Sequence, residues 1–502
     1  MKFNAYFSLL IFLFVSCQKK KDPIVLEELT IESIHEAYQS GKFNAEDLVQ
    51  AYLDRIALED SAINAISETN SKALEDAKAM DLELKETGKL RPLHGIPVIV
   101  KDNINTIGMP TTAGSLALAD FYPESDAFII QKLKEAGAIV IAKSNMAEWA
   151  FSPMHSESST KGTTHNSYNL DHVPAGSSGG TGAAVADNFG TVGLGTDTGN
   201  SIRGPSSHNS LVGFRTTLGL ISREGIVPLY LRNDVVGPMC RTVEDAARML
   251  DVIAGYDTKD PITQHSEGKI PETYTGFLKE NGLENARIGV FRTLSENDPN
   301  PEITALFDQA LVDMATLGAE IVDYVEVPGF QELRQNQWCP DFRKDLEDFL
   351  QTYVKRDTVS TLEDVIRIGT HSEFAKSRLE YAAEAAYPED RPCGDPFTDP
   401  NRIAFREAIE NVMDSLNLDA LVYPSWNHPA ARIDHFQEEY KGDNSQIIAP
   451  HTGQPAFTVP MGFVSGNLPA GLQFLGRMFD EGKLIELTYA FEQGTHHRKT
   501  PN

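Results

Sequence analysis

Two glycine-rich segments hold the side chains best suited to chemistry. The first, Gly176-Ser177-Ser178-Gly179-Gly180-Thr181-Gly182, precedes the apolar run Ala183 to Ala186, which suits a loop entering a helix N-terminus. Such a loop offers N–H groups and positive dipole to an anion, although an ordinary Gly/Ser turn is the simpler reading. The same residues match G-x-S-x-G about Ser178, the pattern of a nucleophile elbow. An elbow needs a strand to launch it, and Asn169 to Ala175 contains no strand-like run. The second segment, Gly195-Thr196-Asp197-Thr198-Gly199-Asn200-Ser201-Ile202-Arg203, follows a short strand-like run and places Ser201 after a turn of small residues. A nucleophile beside its own oxyanion hole needs that arrangement.

A serine there requires a base. Thirteen histidines are present, yet none lies in these segments. Lys101, closing the apolar run Ile96 to Val100, is the candidate, because a lysine held in apolar surroundings loses its proton at lower pH. Serine–lysine pairs are a known variant of triad logic. A lone lysine at a strand end is ordinarily surface charge, so only the combination has weight.

The elements that must position these groups alternate. Helical spacing runs over Ile31 to Gln39 and Ala45 to Glu59, with Thr30 and Asn44 as N-caps, and again over Ser71 to Glu86. Gly95 to Val100 reads as a buried strand, and a helix from Asp126 to Ala136 feeds the strand Ala138 to Ala142. Strands over Thr191 to Gly195, Arg287 to Phe291 and Glu320 to Val325 alternate with helices over Val243 to Ile253 and Glu302 to Leu317. Gln331 to about Ala385 is expected to be mostly helical, and Pro388 to Pro400 an exposed loop. The helix Arg402 to Ser415, the strands Ala420 to Tyr423, Ala456 to Val459 and Gly471 to Phe474, and the helix Lys483 to Gln493 close the chain. That alternation predicts an α/β sheet. No internal repeat is visible.

The 502 residues would allow several domains at roughly 150 residues each, but large α/β enzymes often exceed that figure. With 41% hydrophobic and 23% charged residues the composition is that of a globular protein. The 44 basic and 72 acidic residues give a net charge of −28, which sets nucleic acid aside as a partner. The lysines at 19 to 21 and the pair Arg498-Lys499 read as solvated termini. Metal binding finds no support, since His496 and His497 are adjacent and lack a third ligand at useful spacing. No cofactor is expected.

Lys2 followed by the apolar stretch Ala5 to Val15 is too short to span a membrane and reads as an export signal. Ser16-Cys17 at its end is similar to a bacterial lipoprotein signal, in which Cys17 becomes the lipidated first residue, although Phe14 stands where Leu is usual. Acyl chains on Cys17 would anchor an exported domain to a membrane. Cys240, Cys339 and Cys393 form no Cys-x-x-Cys pair or framework spacing and are expected as buried free thiols.

Taken together, Lys101-Asp102-Asn103 and the two glycine-rich segments resemble the amidase signature family in both order and spacing. The likeness extends through Gly108 to Ser115, Ala136 to Ala138, Lys143 to Trp149 and Leu468 to Arg477, nearly the whole mature chain. The resemblance implies one large α/β domain over 27–502, a three-layer mixed sheet covered by helices, after a signal peptide at 1–16 and a linker at 17–26. It further implies that Ser201 is the nucleophile, Ser177 a bridging serine in a cis peptide and Lys101 the general base. The backbone N–H groups of Thr198, Gly199, Asn200 and Ser201 match the family's oxyanion hole, and Asp197 and Arg203 match positions that support the loop.

Three departures stand out. Asn200 replaces the usual Gly before the nucleophile, which Asn tolerates if the backbone needs positive φ, and its side chain would narrow the acyl pocket. Ala175 and Ser167 stand where Gly and Pro are common.

The expected activity is hydrolysis of a small-molecule or peptide amide, with a lean toward the branch that includes bacterial peptide amidases, carried by Ser222 to Pro228 and Gly237 to Met239. A glutamyl-tRNA amidotransferase A subunit and a non-catalytic binding protein on the same fold are the alternatives. Pocket walls are expected from residues 331 to 400 and from the loop around Trp426. Trp338 and Trp426 could line that pocket, though core filling is the plainer expectation.

Overall fold

Runs of Val, Ile and Leu hidden on both faces build the centre of the protein. A computed structural model describes residues 23–339, 341–385 and 394–501. Cys17, the leader and part of the linker lie outside them. The strands are β1 Ile66–Thr69, β2 Pro97–Lys101, β3 Ile139–Ser144, β4 Glu157–Ser158, β5 Gly162–Thr163, β6 Val192–Asp197, β7 Val212–Arg215, β8 Val235–Cys240, β9 Arg287–Val290, β10 Glu320–Val322, β11 Ala420–Pro424, β12 Ala456–Val464 and β13 Leu468–Leu475. Eleven form one sheet in the order β1-β3-β2-β6-β8-β7-β12-β13-β11-β9-β10, while β4 and β5 make a small ribbon.

The sheet is mixed. β3, β2 and β6 run parallel to one another, as do β11, β9 and β10, with antiparallel pairs between these groups. Helices flank it, which confirms the α/β expectation. Thr30 and Asn44 cap the first two helices in reciprocal capping boxes with Ser33 and Asp47, so two orphan N–H groups are met at each end.

Parallel strands place their carboxyl ends together, and crevices beyond those ends are where open α/β sheets bind ligands. Val98, Ile99 and Val100 pair with Val192, Gly193 and Leu194, so Lys101 and the loop after Asp197 emerge side by side. The helix Gly179–Ala186 lies against this pair, and a Cβ on Gly193 would collide with its Thr181 and Val185.

No strand is expected from sequence where β8 lies; Gly237-Pro238 sits in the middle of it, and proline lacks a ladder N–H. Pro238 pairs with Leu194 of β6, whereas β7 pairs only with Met239 and Cys240, so the proline faces a ladder on one side alone. The segment after Gln331 is less regular than expected: helices Phe342–Phe349, Leu362–Ile368 and Glu373–Glu384 are separated by a π turn at Leu350–Val354 and by loops. Cys240 is a buried free thiol as expected, but Cys339 is disulfide-bonded, a pairing that spacing alone does not disclose.

Candidate active site

Lys101, at the end of β2, has no solvent exposure. Its Nζ donates to Ser177 Oγ and to Thr196 Oγ1, each at 2.7 Å, and more weakly to the Thr196 carbonyl at 3.5 Å. Burial drives its pKa down to about 7, against the attraction of the Asp197 and Asp234 charges. An amine with hydroxyl partners and that pKa exists substantially as the neutral base at pH 7.

Ser177 is held through its own carbonyl and through the N–H of the residue before it. The Gly176–Ser177 peptide is cis. Gly176 N–H donates to the Pro153 carbonyl at 3.0 Å, and the Ser177 carbonyl accepts from Ala147 N–H at 3.0 Å. A Cβ at Gly176 would strike the carbonyls of Ser152 and His155, so only glycine fits. Ser178, central in the elbow-like pattern, donates instead to the Thr196 carbonyl at 3.2 Å and is wholly buried.

Thr198, Gly199, Asn200 and Ser201 line one side of a cavity of about 320 Å³. Among the described residues, no acceptor meets the N–H group of any of these four, whereas the next, Ile202 N–H, donates to Asp197 Oδ2 at 3.1 Å. The loop therefore offers unused donors beside the Ser201 hydroxyl, which is what an oxyanion hole requires.

Asp197 and Arg203 hold that loop. Buried Asp197 receives Arg203 Nε at 3.1 Å and Arg215 Nη1 at 2.7 Å. Burial would raise its pKa, but the two guanidiniums outweigh it and hold the carboxyl at about 2. Arg203 Nη2 also donates to the Gly199 carbonyl at 2.6 Å, and its Nη1 to Gln473 Oε1 at 3.1 Å. Thr198 Oγ1 donates to Asp234 at 2.5 Å. Arg215, Asp234 and Gln473 were not singled out from sequence. Gln473 falls inside the Leu468 to Arg477 motif, whereas nothing local marks the other two.

Asn200 is not in a left-handed conformation, so its tolerance of positive φ is not called upon; of the three departures it is Ala175 that stands there, at φ 60°. The Asn200 side chain does line the cavity. The other walls are Ala150, Phe151, Pro153, Leu229, Tyr230, Trp338, Arg378, Tyr381 and Gln446. Trp338 is thus a wall and not core, 43% exposed and edge-on to Tyr230 and His451. Trp426 is core as expected, packed on His208. Arg378 and Tyr381, from the helix Glu373–Glu384, bear out the expectation that the 331 to 400 region supplies walls, whereas the expected loop around Trp426 supplies none and Gln446 stands there instead. Among the described residues no group of three His, Cys, Asp or Glu side chains could hold a metal ion.

Known proteins share this architecture. The family model for amidases matches residues 47–485. A probable amidase of Arabidopsis thaliana is 34% identical over 500 residues, covering 95% of this chain and 92% of the relative. The A subunit of a glutamyl-tRNA(Gln) amidotransferase from Gloeothece citriformis is 32% identical, over 94% of this chain and 99% of its own. The crystal structure of a peptide amidase from Stenotrophomonas maltophilia superposes with a TM-score of 0.84 at 34% identity, covering 95% of this chain and 99% of that one.

Proposed function

The chain belongs to the amidase signature family, and on that premise we propose that it hydrolyses the C–N bond of a small-molecule or peptide amide through Ser201, Ser177 and Lys101. The observation that carries this reading is the buried Lys101 Nζ, 2.7 Å from Ser177 Oγ, with a pKa of about 7. Neutral Lys101 accepts a proton from Ser177 as Ser177 takes one from Ser201, and the Ser201 oxygen attacks the amide carbonyl. The resulting oxyanion meets the N–H groups of Thr198, Gly199, Asn200 and Ser201, where the loss of one donor costs about 3 kcal/mol of transition-state stabilisation. The protons return through Ser177 to the departing ammonia or amine. Water then hydrolyses the acyl-enzyme by the same relay.

The mature protein acts outside the cytoplasm, held to a membrane by acyl chains on Cys17. Support comes from the Lys2 and Ala5 to Val15 pattern and from the disulfide at Cys339, a bond that persists in oxidising compartments. No helix among the described residues is long and apolar enough to cross a membrane. The likeness to amidotransferase A subunits supports a second reading, an ammonia donor working with partner subunits, although a charge of −28 opposes a tRNA partner.

The test is turnover of an amide panel, including C-terminally amidated peptides and aryl amides, by the chain from Lys19 onward with no partner added. Release of carboxylate and amine that Ser201→Ala abolishes supports the triad. Turnover that survives Ser201→Ala overturns it.

A further inference from the structure

Asn200 is the residue by which this chain departs from the family inside the oxyanion loop, and its side chain is not idle. Nδ2 donates to Asp443 Oδ2 at 2.9 Å and to the Pro153 carbonyl at 3.3 Å. The Pro153 carbonyl is the same acceptor that holds Gly176 N–H at 3.0 Å, one residue before Ser177. One carboxamide therefore links the oxyanion loop to the segment of the bridging serine and to the 440–446 wall.

Asp443 is the hub of that wall. Besides Asn200, its Oδ2 accepts from Gln446 Nε2 at 2.8 Å and Tyr440 Oη at 2.9 Å, while Oδ1 accepts from Ser445 N–H at 3.1 Å. Gln446 in turn packs against Gly199, where a Cβ would lie 3.1 Å from its Oε1. Two consecutive oxyanion-loop residues, Gly199 and Asn200, are thus braced by side chains that Asp443 orients. With three side-chain donors on one oxygen, the carboxylate is saturated from within the protein and is not a vacant substrate contact.

We propose that Asn200 is a positioning residue, whose carboxamide clamps the oxyanion loop between Asp443 and Pro153 so that the Asn200 and Ser201 N–H groups stay aimed at the developing oxyanion. The proposal rests on the triad reading above. A clamp of this kind acts on the transition state, so it belongs in kcat and not in KM. It also depends on an ionised acceptor: protonated Asp443 would carry an O–H that competes for the same partners. Burial pushes its pKa up to about 6, opposed by the Gln446 and Tyr440 hydrogen bonds and the Arg203 charge. The groups facing it are Asn200, Tyr440, Gln446, the Ser445 N–H and, at longer range, Arg203. Wild-type kcat should therefore fall on the acid side through two ionisations, Lys101 near 7 and Asp443 near 6.

The experiment compares Asn200→Gly, Asn200→Asp, the pair Asn200→Asp with Asp443→Asn, and Ser201→Ala, all on the amide the wild type turns over fastest. Asn200→Gly is expected to lower kcat about ten-fold with KM within about two-fold, less than the loss of a whole oxyanion donor. The lower of the two acid-side ionisations should vanish from its pH profile. Asn200→Asp sets two carboxylates together and should be worse, and adding Asp443→Asn should recover most of the loss by restoring a donor–acceptor pair. Wild-type kcat in Asn200→Gly, with Ser201→Ala inactive, overturns the clamp and leaves the triad standing. Turnover in Ser201→Ala overturns both. Should Asn200→Gly fail to fold, the paired variant decides: no recovery over Asn200→Asp sinks the proposal.

Discussion

Lys101 and Lys143 sit on adjacent parallel strands, in register Val100 with Lys143 and Lys101 with Ser144, and neither has any solvent exposure. Burial lowers both, to about 7 and about 8 respectively. Their surroundings differ in kind. Lys143 Nζ donates to the Ile104 carbonyl at 2.6 Å and to Thr111 Oγ1 at 3.2 Å, with Asp102 at 3.7 Å as counter-charge. Lys101 meets two hydroxyls, and among the described residues no carboxylate stands within ion-pair reach. Asp197, the carboxylate that acts on it most, is committed to Arg203 and Arg215. A buried lysine becomes a base when its neighbours can exchange a proton with it; carbonyls and a private carboxylate make it a strut instead.

The contrast breaks most sharply by truncation. Lys101→Ala is expected to lower kcat about 10²- to 10⁴-fold, the usual worth of a general base, with the melting temperature largely kept. Lys143→Met should do the reverse, costing about 3 to 5 kcal/mol of stability by stranding Asp102, with kcat of the folded fraction little changed. Activity assays beside thermal melts read both, and a large kcat loss in Lys143→Met would erase the distinction.

A pH profile sharpens it. In the proposed relay Lys101 works deprotonated, so kcat should climb as pH rises through about 7 and level off above. Lys143→Met should leave the Lys101 ionisation where it is, because the Asp102–Lys143 pair is satisfied locally. A limb that moves with Lys143 would mean that the two amines share one titration.

Sequence showed one half of this contrast. Lys101 was legible because a charged residue closing a Val/Ile run stands out once a serine needs a base, and Ser177 and the loop Thr198 to Ser201 were legible as family motifs. Lys143 lies inside the Lys143 to Trp149 motif, yet nothing in the order of residues says that Asp102 and Ile104, some forty positions away, would surround it. The same holds for Arg215, Asp234 and Asp443, which reach the site by strand order and loop return rather than by spacing. Trp338 was misplaced because aromatic residues fill cores and walls alike, and the difference lies in what packs beside them. Helix starts were sharper, since Thr30 and Asn44 are local signals with a local hydrogen bond to satisfy.

The smallest expected effect is at Ala175, two residues before the serine that Lys101 touches. Its φ of 60° costs an L-residue about 1 to 2 kcal/mol, which glycine would avoid. Glycine gives back about 0.4 to 1 kcal/mol through the freer unfolded chain. It also forfeits a buried methyl, about 0.8 kcal/mol at a side chain with no exposure. These three terms nearly cancel, so Ala175→Gly should shift stability by less than about 1 kcal/mol and leave kcat unchanged, because Ser177 is held by Ala147 and Ser156, and Gly176 before it by Pro153, rather than by that methyl. Ala175→Val, which adds β-branching at positive φ, should lose more than about 2 kcal/mol. A fall in kcat for Ala175→Gly at unchanged melting temperature would show that the Ala175 methyl, and not the backbone contacts alone, sets the serine that distinguishes Lys101 from Lys143.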